Sequence, residues 1–543
     1  MKTTNRTLLL WWGFSVTAGL VASACGQKSD SQNHSVVDGG DGDADADADG
    51  DADGDVDTDA DGDSDTDSTI SIPDTQAAPC QYACSDHCNS IGGTVMDGTC
   101  SVFGQKCCLL EQESATDSDE PIATDSDEPI TTDSDEPSDS DSAPPPDTET
   151  VSDISENPVD ALLSWLATPA EVRAPIGEQS FASVPLSRDE ATSAADLLWE
   201  DLRARIAEER RGETDAKSIS LLGATLKYET VYLGGEPEGG RDLFISMHGG
   251  GETDAATNDS QWENQIVLAE HYAPVDTLWI APRAPNDVWN MWFEDHIDFM
   301  FDRLISNMIV FENINPNRVF LNGYSAGGDG VYQLGPRMAD YFAAAGMSAG
   351  HPNDASPVNL RNLGFAIHVG GSDTAFDRNL KADEWGGKLD ELRAADPDGY
   401  PHQVEVHPGL PHWMDLADQV SIPFMQGFTR NPAPARVVWR QANVMHGRFY
   451  WLKADPESAR TGDLIEASVA GQTIAVETAD ADVVTVRVSD ALLDMDRPVS
   501  ITLNGSPYTE TQIPRTISVL HETLAEREDP AMIYSGEIVI ESN

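Results

Sequence analysis

Apolar and polar positions follow two different periods along this chain, and the change of period marks out its organisation. From about Asn157 onward, short apolar runs alternate with helix-like stretches. Ser187 and Glu190 stand three apart, the capping-box spacing in which two side chains satisfy two orphan backbone N–H groups. Behind them Leu197, Leu198, Leu202 and Ile206 are spaced to fall on one helical face. Residues 243–247, 277–281, 318–322 and 365–369 are short apolar runs separated by helix-length segments. This alternation predicts a mainly parallel sheet flanked by helices. Beyond Pro432 the helical period gives way to strand-like runs at 473–477, 483–488, 499–503 and 537–540. Asn504-Gly505 between two of them signals a tight hairpin. The pattern predicts a small C-terminal β domain packed on an α/β domain.

The first 157 residues follow neither period. Lys2 and Arg6 precede an apolar stretch at 8–21 that is too short for a convincing membrane span. Ala22-Ser23-Ala24-Cys25 follows. The segment resembles a bacterial lipoprotein signal, which implies lipid on Cys25, although Ala22 stands where such signals usually have Leu. Plain cleavage at an A-x-A site is the alternative. Either way the chain is expected to be exported, as an outward-facing envelope lipoprotein or a secreted protein. From Asp41 to Asp67 aspartate occupies every second position, a segment that cannot bury a core and extends by self-repulsion. Asp45, Asp47, Asp49 and Gly50 match the start of a calcium loop, but the twelfth position is Val56 rather than a bidentate Glu. Thr-Asp-Ser-Asp-Glu-Pro recurs from Thr116, Thr124 and Thr132 and runs into three prolines, the composition of a second extended tether.

Between these tethers lie Cys80, Cys84, Cys88, Cys100, Cys107 and Cys108. A module this small needs disulfides to fold, and six cysteines leave every connectivity open. Zinc is the competing reading, disfavoured by the absence of C-x2-C pairs. The spacing resembles that of defensin-type mini-domains over Gly98-Thr99-Cys100 and Cys107-Cys108. Six cysteines can pair among themselves and leave Cys25 as the odd one, in keeping with lipidation. The expected organisation is therefore signal 1–24, acidic linker 25–78, six-cysteine module 79–110, linker 111–157, catalytic domain with helical lead-in 158–432, and C-terminal domain 433–543.

Charge sharpens the picture. The net charge is −63, and residues 1–157 hold 36 of the 95 acidic side chains but 4 of the 32 basic ones. The remainder is still strongly acidic. Such a surface repels nucleic acid and anionic headgroups, so the expected partners are a small or polymeric substrate and, through Cys25, a membrane.

The chemistry concentrates at the ends of the apolar runs. Run 318–322 leads into Gly323-Tyr324-Ser325-Ala326-Gly327 and a helix-like stretch, the setting of a nucleophile elbow. Glycines flanking Ser325 remove side chains that would clash in a tight strand-to-helix turn. Run 243–247 ends in His248-Gly249-Gly250-Gly251, an oxyanion-loop pattern. N–H groups of Gly250, Gly251 and Ala326 are the expected oxyanion donors, with His248 holding the loop. Run 365–369 ends before Asp373, with Asp377 as the alternative acid, and His412 lies in a Gly/Pro loop after Val404–Val406. His368, His402 and His407 are read as packing or surface residues. No zinc-binding H-E-x-x-H pattern is present, and no cofactor is expected.

These motifs resemble the α/β-hydrolase superfamily over about residues 220–430. The resemblance implies that fold, with Ser325 as nucleophile, His412 as base and Asp373 as its orienting acid. His248–Gly251, Pro282 to Trp292 and Gly323 to Gly330 further resemble bacterial exported esterases, polyhydroxybutyrate-depolymerase-like proteins and the prolyl-oligopeptidase catalytic domain. The implied activity is hydrolysis of carboxylic esters, on an acylated polysaccharide or a polyester. A serine peptidase and an inactive surface binding protein are the alternatives. Trp262, Trp289 and Trp292 are the candidate aromatic wall, and Asp329 is a candidate polar substrate contact or a cap.

Overall fold

In a computed structural model the described residues are 157–478 and 480–542, with the backbone of three strands upstream: β1 (Tyr82–Ser85), β2 (Thr94–Thr99) and β3 (Lys106–Leu109). These three pair antiparallel in the order β1-β3-β2. The expected signal, Cys25, both acidic linkers and the side chains of the six cysteines lie outside the described residues. Among the described residues no helix is long and apolar enough to cross a membrane.

Helix α1 (Pro158–Leu166) and the long helix α2 (Arg188–Glu209) open the described chain. The expected capping box forms: Ser187 Oγ accepts from the Glu190 N–H at 3.3 Å, and Glu190 Oε2 accepts from the Ser187 N–H at 2.8 Å. Leu198, Leu202 and Ile206 are buried on one face of α2, whereas Leu197 is only half-buried. A short helix α3 (Arg211–Ala216) leads into the sheet.

The central sheet comprises β4 (Ser218–Leu221), β5 (Ala224–Leu233), β6 (Arg241–Met247), β7 (Thr277–Arg283), β8 (Ile314–Tyr324), β9 (Ala344–Ser348), β10 (Gly364–Gly370) and β11 (His402–His407). Their order is β11-β10-β9-β8-β6-β7-β5-β4. β4, β5 and β7 pair antiparallel, and every pair from β7 through β6 to β11 is parallel. Helices α4 (Ala255–Tyr272), α5 (Asp295–Phe311), α6 (Ala326–Arg337), α7 (Arg378–Ala395) and α8 (Ser421–Gln426) connect or cover the strands. This is the α/β-hydrolase fold.

The strand pleat divides the core in two. Leu243, Ile245 and Met247 of β6 pack with Val319 and Leu321 of β8, with α5 and α6, and with Trp385 and Leu389 of α7. Phe244, Trp279 and Phe320, one residue out of phase, point the other way toward Leu268 of α4 and Met425 of α8. Alternation of side chains along each strand forces this division, and burial on both faces makes the central strands continuous apolar runs.

The C-terminal strands form two sheets. One has the order β12 (Arg436–Arg440), β15 (Leu464–Ala470), β16 (Thr473–Thr478), β18 (Val499–Leu503) and β19 (Ser506–Thr511). The other joins β13 (Arg448–Phe449), β14 (Leu452–Lys453), β17 (Val483–Val488) and β20 (Gly536–Glu541). Asn504 and Gly505 both have positive φ, 49° and 74°, as a type I′ hairpin between β18 and β19 requires. This region is the expected C-terminal β domain, packed on the central sheet. It contains helix α9 (Ile517–Arg527), whose Ile517, Leu520 and Leu524 pack with Leu198, Leu202 and Ile206 of α2. Its strands share one continuous apolar cluster with the central sheet. Apolar period reveals that each run must be buried, but not against what.

Candidate functional site

Ser325 sits between β8 and α6 with φ 58° and ψ −119°, a strained backbone for a residue with a Cβ. The turn is possible because Gly323 and Gly327, two residues before and two after it, lack side chains. A methyl at Gly323 would overlap the Gly327 carbonyl, and one at Gly327 would overlap the Met247 carbonyl. The Ser325 N–H donates to Ser348 O at 2.9 Å, and Ser325 O accepts the Asp329 N–H at 3.0 Å. The hydroxyl thus stands beside the first turn of α6, where backbone N–H groups favour negative charge.

Asp373 and His412 come from loops after adjacent parallel strands, β10 and β11. His412 Nδ1 lies 2.6 Å from Asp373 Oδ2, and His412 Nε2 lies 3.0 Å from Ser325 Oγ. The Asp373 side chain is 2% exposed and that of His412 is 42% exposed. Asp377, the alternative acid, is exposed at the start of α7. The two loops are stitched together: Ser372 N–H donates to Leu410 O at 2.9 Å and Gly371 N–H to His407 O at 2.7 Å. A side chain at Gly370 would overlap the Leu410 and Pro411 carbonyls.

Two contributors carried no recognisable sequence signal for their role. Tyr324 Oη donates to His412 O at 2.7 Å and accepts the Met414 N–H at 3.0 Å, so the residue before Ser325 also fixes the histidine loop. Arg378 Nη1 reaches Asp373 Oδ1 at 3.5 Å. Tyr324 lies inside the sequence motif, but its long-range partners are visible only in the fold.

The glycine loop after β6 approaches Ser325: a methyl at Gly249 would lie 3.2 Å from Ser325 Cβ. His248 is wholly buried. Its Nδ1 is 2.6 Å from Gly249 O, and its Nε2 accepts the Ala284 N–H at 3.1 Å. A carbonyl can only accept and an amide N–H can only donate, so the ring is the neutral Nδ1–H tautomer. Burial pushes its pKa down to about 4. The expected donor set needs one correction. Gly251 N–H donates to Asn258 Oδ1 at 3.0 Å, which commits it to holding the loop. Asn258 in turn donates to Asp287 at 2.9 Å.

The expected aromatic wall is also corrected. Trp292 is wholly buried in the core and donates to His248 O at 2.8 Å. Trp262 is half-buried on α4 and donates to Ala281 O at 2.8 Å. Both indoles are spent on positioning backbone. Trp289 alone of the three is exposed, at 47%, and its carbonyl lies beside Gly251. Asp329 is 3% exposed and accepts the His351 N–H at 2.6 Å, so it braces the loop after β9 rather than facing solvent. Burial raises its pKa to about 7, against the backbone hydrogen bond from His351. His402 is held by Tyr400 O and Asp390. His368 and His407, read from sequence as separate packing residues, meet at 3.2 Å beside Glu405.

No family model matches the chain, and no curated protein matches it. Among solved structures, a ferulic acid esterase is 17% identical and matches 39% of this chain and 96% of its own, with a TM-score of 0.28. The feruloyl esterase module from Clostridium thermocellum is 15% identical over 38% of this chain and 83% of its own, with a TM-score of 0.27. S-formylglutathione hydrolase from Staphylococcus aureus is 15% identical over 38% of this chain and 96% of its own, also at 0.27.

Proposed function

We propose that this protein is a serine hydrolase that cleaves carboxylic esters through Ser325, His412 and Asp373. The observation that carries the reading is His412, with one ring nitrogen 2.6 Å from a buried carboxylate and the other 3.0 Å from the hydroxyl of a strained serine. An imidazole so held can accept the serine proton while the carboxylate stabilises the resulting cation.

In the proposed reaction His412 Nε2 takes the proton as Ser325 Oγ attacks the ester carbonyl carbon. Negative charge moves to the carbonyl oxygen, where the N–H groups of Gly250 and Ala326 receive it. Collapse expels the alcohol, which takes its proton from His412. Water, deprotonated by His412, then releases the acid from Ser325. Gly251 is omitted from the donors because Asn258 holds its N–H. Trp289, whose carbonyl lies beside Gly251, and Phe376, three residues after Asp373, are 47% and 72% exposed and offer apolar surface to an acyl or aryl group. Export, a lipid on Cys25 and the two acidic tethers belong to the same proposal. They would hold the enzyme outside the cell, where acylated polysaccharide or polyester is the substrate class.

The test is labelling of the full chain with a fluorophosphonate probe, beside Ser325→Ala and His412→Ala, followed by p-nitrophenyl esters against peptide amides. We expect labelling of the wild type only, and a fall in ester turnover of about 10⁴-fold or more in Ser325→Ala with the fold intact. Undiminished turnover in Ser325→Ala would sink the assignment. Cleavage of peptides but not esters would reassign the substrate.

A further inference from the structure

The strands that deliver Asp373 and His412 carry a second cluster of side chains. His368 on β10 and Glu405 and His407 on β11 each bring one ligand atom within 4.8 Å of the others. β10 and β11 are parallel, with His368 opposite Glu405 and Gly370 opposite His407. Glu405 and His407, two apart on a strand, share one face, and His368 joins them from its neighbour. The two imidazoles are stacked at 22°, with His368 Nδ1 3.2 Å from His407 Nε2.

The facing nitrogens can share one proton. His368 is 0% exposed, and the Gln403 side chain interacts with its ring. The separation of the facing nitrogens also suits a shared ion. Two imidazole nitrogens bound to one zinc at about 2.0–2.1 Å in tetrahedral geometry lie ~3.3 Å apart. With Nδ1 of His368 on the ion, Nε2 carries the proton, as it also does when Nδ1 accepts from His407. Gln403, whose side chain interacts with that ring, presents the acceptor, the outer-shell contact that metal-bound histidines make. Glu405 Oε1 takes the other end of Gln403 at 2.9 Å.

We propose that His368, Glu405 and His407 form a binding site for a divalent transition ion of zinc type. Two imidazoles and one carboxylate suit zinc, whereas calcium and magnesium select oxygen ligands. The ion ties β10 to the sheet's last strand, β11, and each ligand histidine stands five residues before a member of the Asp373–His412 pair. The site is a structural clamp, and it stands whether or not Ser325 is a nucleophile.

The experiment uses the full chain, stripped with EDTA and titrated with ZnCl2 by calorimetry, then with CoCl2 by visible absorption. The comparison is with Glu405→Gln, which preserves shape, and His407→Gln, both at half-buried positions and checked by circular dichroism. We expect a wild-type site weakened by about tenfold or more in each folded variant. We also expect cobalt ligand-field bands in the wild type only, and a zinc-dependent rise in Tm that the variants lose. Equal zinc affinity in wild type and variants overturns the proposal and assigns the ion to the acidic or cysteine-rich segments. Absence of saturable binding in the wild type overturns it outright.

Discussion

At the scale of single residues, His248 shows how burial converts a titratable group into a structural one. Its two hydrogen bonds require the neutral ring, and burial depresses its pKa from 6.5 to about 4. The unfolded chain therefore binds the extra proton first as pH falls, so stability is full above pH 6.5 and declines toward pH 4. From these values His248 should cost the fold about 2 kcal/mol between pH 7.5 and pH 5. Urea denaturation of wild type and His248→Asn at both pH values checks this. The variant should be less stable at pH 7.5 and lose less on acidification; parallel losses would mean that His248 does not titrate in this range. The glycine-loop pattern was legible because its residue types are rare in that order. The commitment of Gly251 to Asn258 was not, since nothing in the six intervening residues announces that hydrogen bond.

At the scale of elements, the elbow between β8 and α6 depends on backbone crowding rather than on glycine's flexibility alone. Gly327 has no room for a methyl because the obstacle is the carbonyl of Met247, which belongs to β6 and cannot swing aside. Gly327→Ala should destabilise the protein by about 3 kcal/mol or more, lowering Tm and fluorophosphonate labelling together. Gly387, exposed in the middle of α7, has nothing within 4 Å of its notional Cβ. Gly387→Ala should instead add about 0.5–1 kcal/mol and leave labelling unchanged. Scanning calorimetry separates the two, and a neutral Gly327→Ala would refute the crowding argument. The central strands were readable as apolar runs because both of their faces are buried. β4, β5 and β9 were missed: β4 is short, β5 buries only Leu226 and Tyr228 among polar and half-buried positions, and β9 is mostly small residues.

At the scale of the whole molecule, the C-terminal region is bound to the hydrolase fold by buried charge as well as by apolar contact. Arg527 of α9 pairs with Asp340 after α6 at 2.7 Å, with side chains 4% and 2% exposed. Arg430 pairs with Asp529 at 2.7 Å, and His446 reaches Asp298 of α5, which also holds Arg337 of the elbow helix. Removing one partner of a buried pair leaves an uncompensated charge, at a cost of about 3–5 kcal/mol. A chain ending at residue 432 would leave Asp340 without Arg527 and Arg430 without Asp529, and would expose the shared apolar cluster. We expect it to show no cooperative thermal transition. A soluble fragment melting like the full chain would show instead that the boundary near 432 separates independent domains.

The sequence by itself determined the class of fold, the strand ends at which chemistry concentrates and the residue types gathered there. Apolar period, glycine spacing and capping chemistry are local and leave a local record. Tertiary structure decided which of those residues meet. It brought His412 to Asp373 rather than to exposed Asp377 and buried Trp292 where a substrate wall was expected. It also placed His368 against His407 and joined the C-terminal strands to the central core. Each of these depends on strand order and register. A parallel sheet brings together residues far apart along the chain, and no local pattern encodes which neighbour a strand will take.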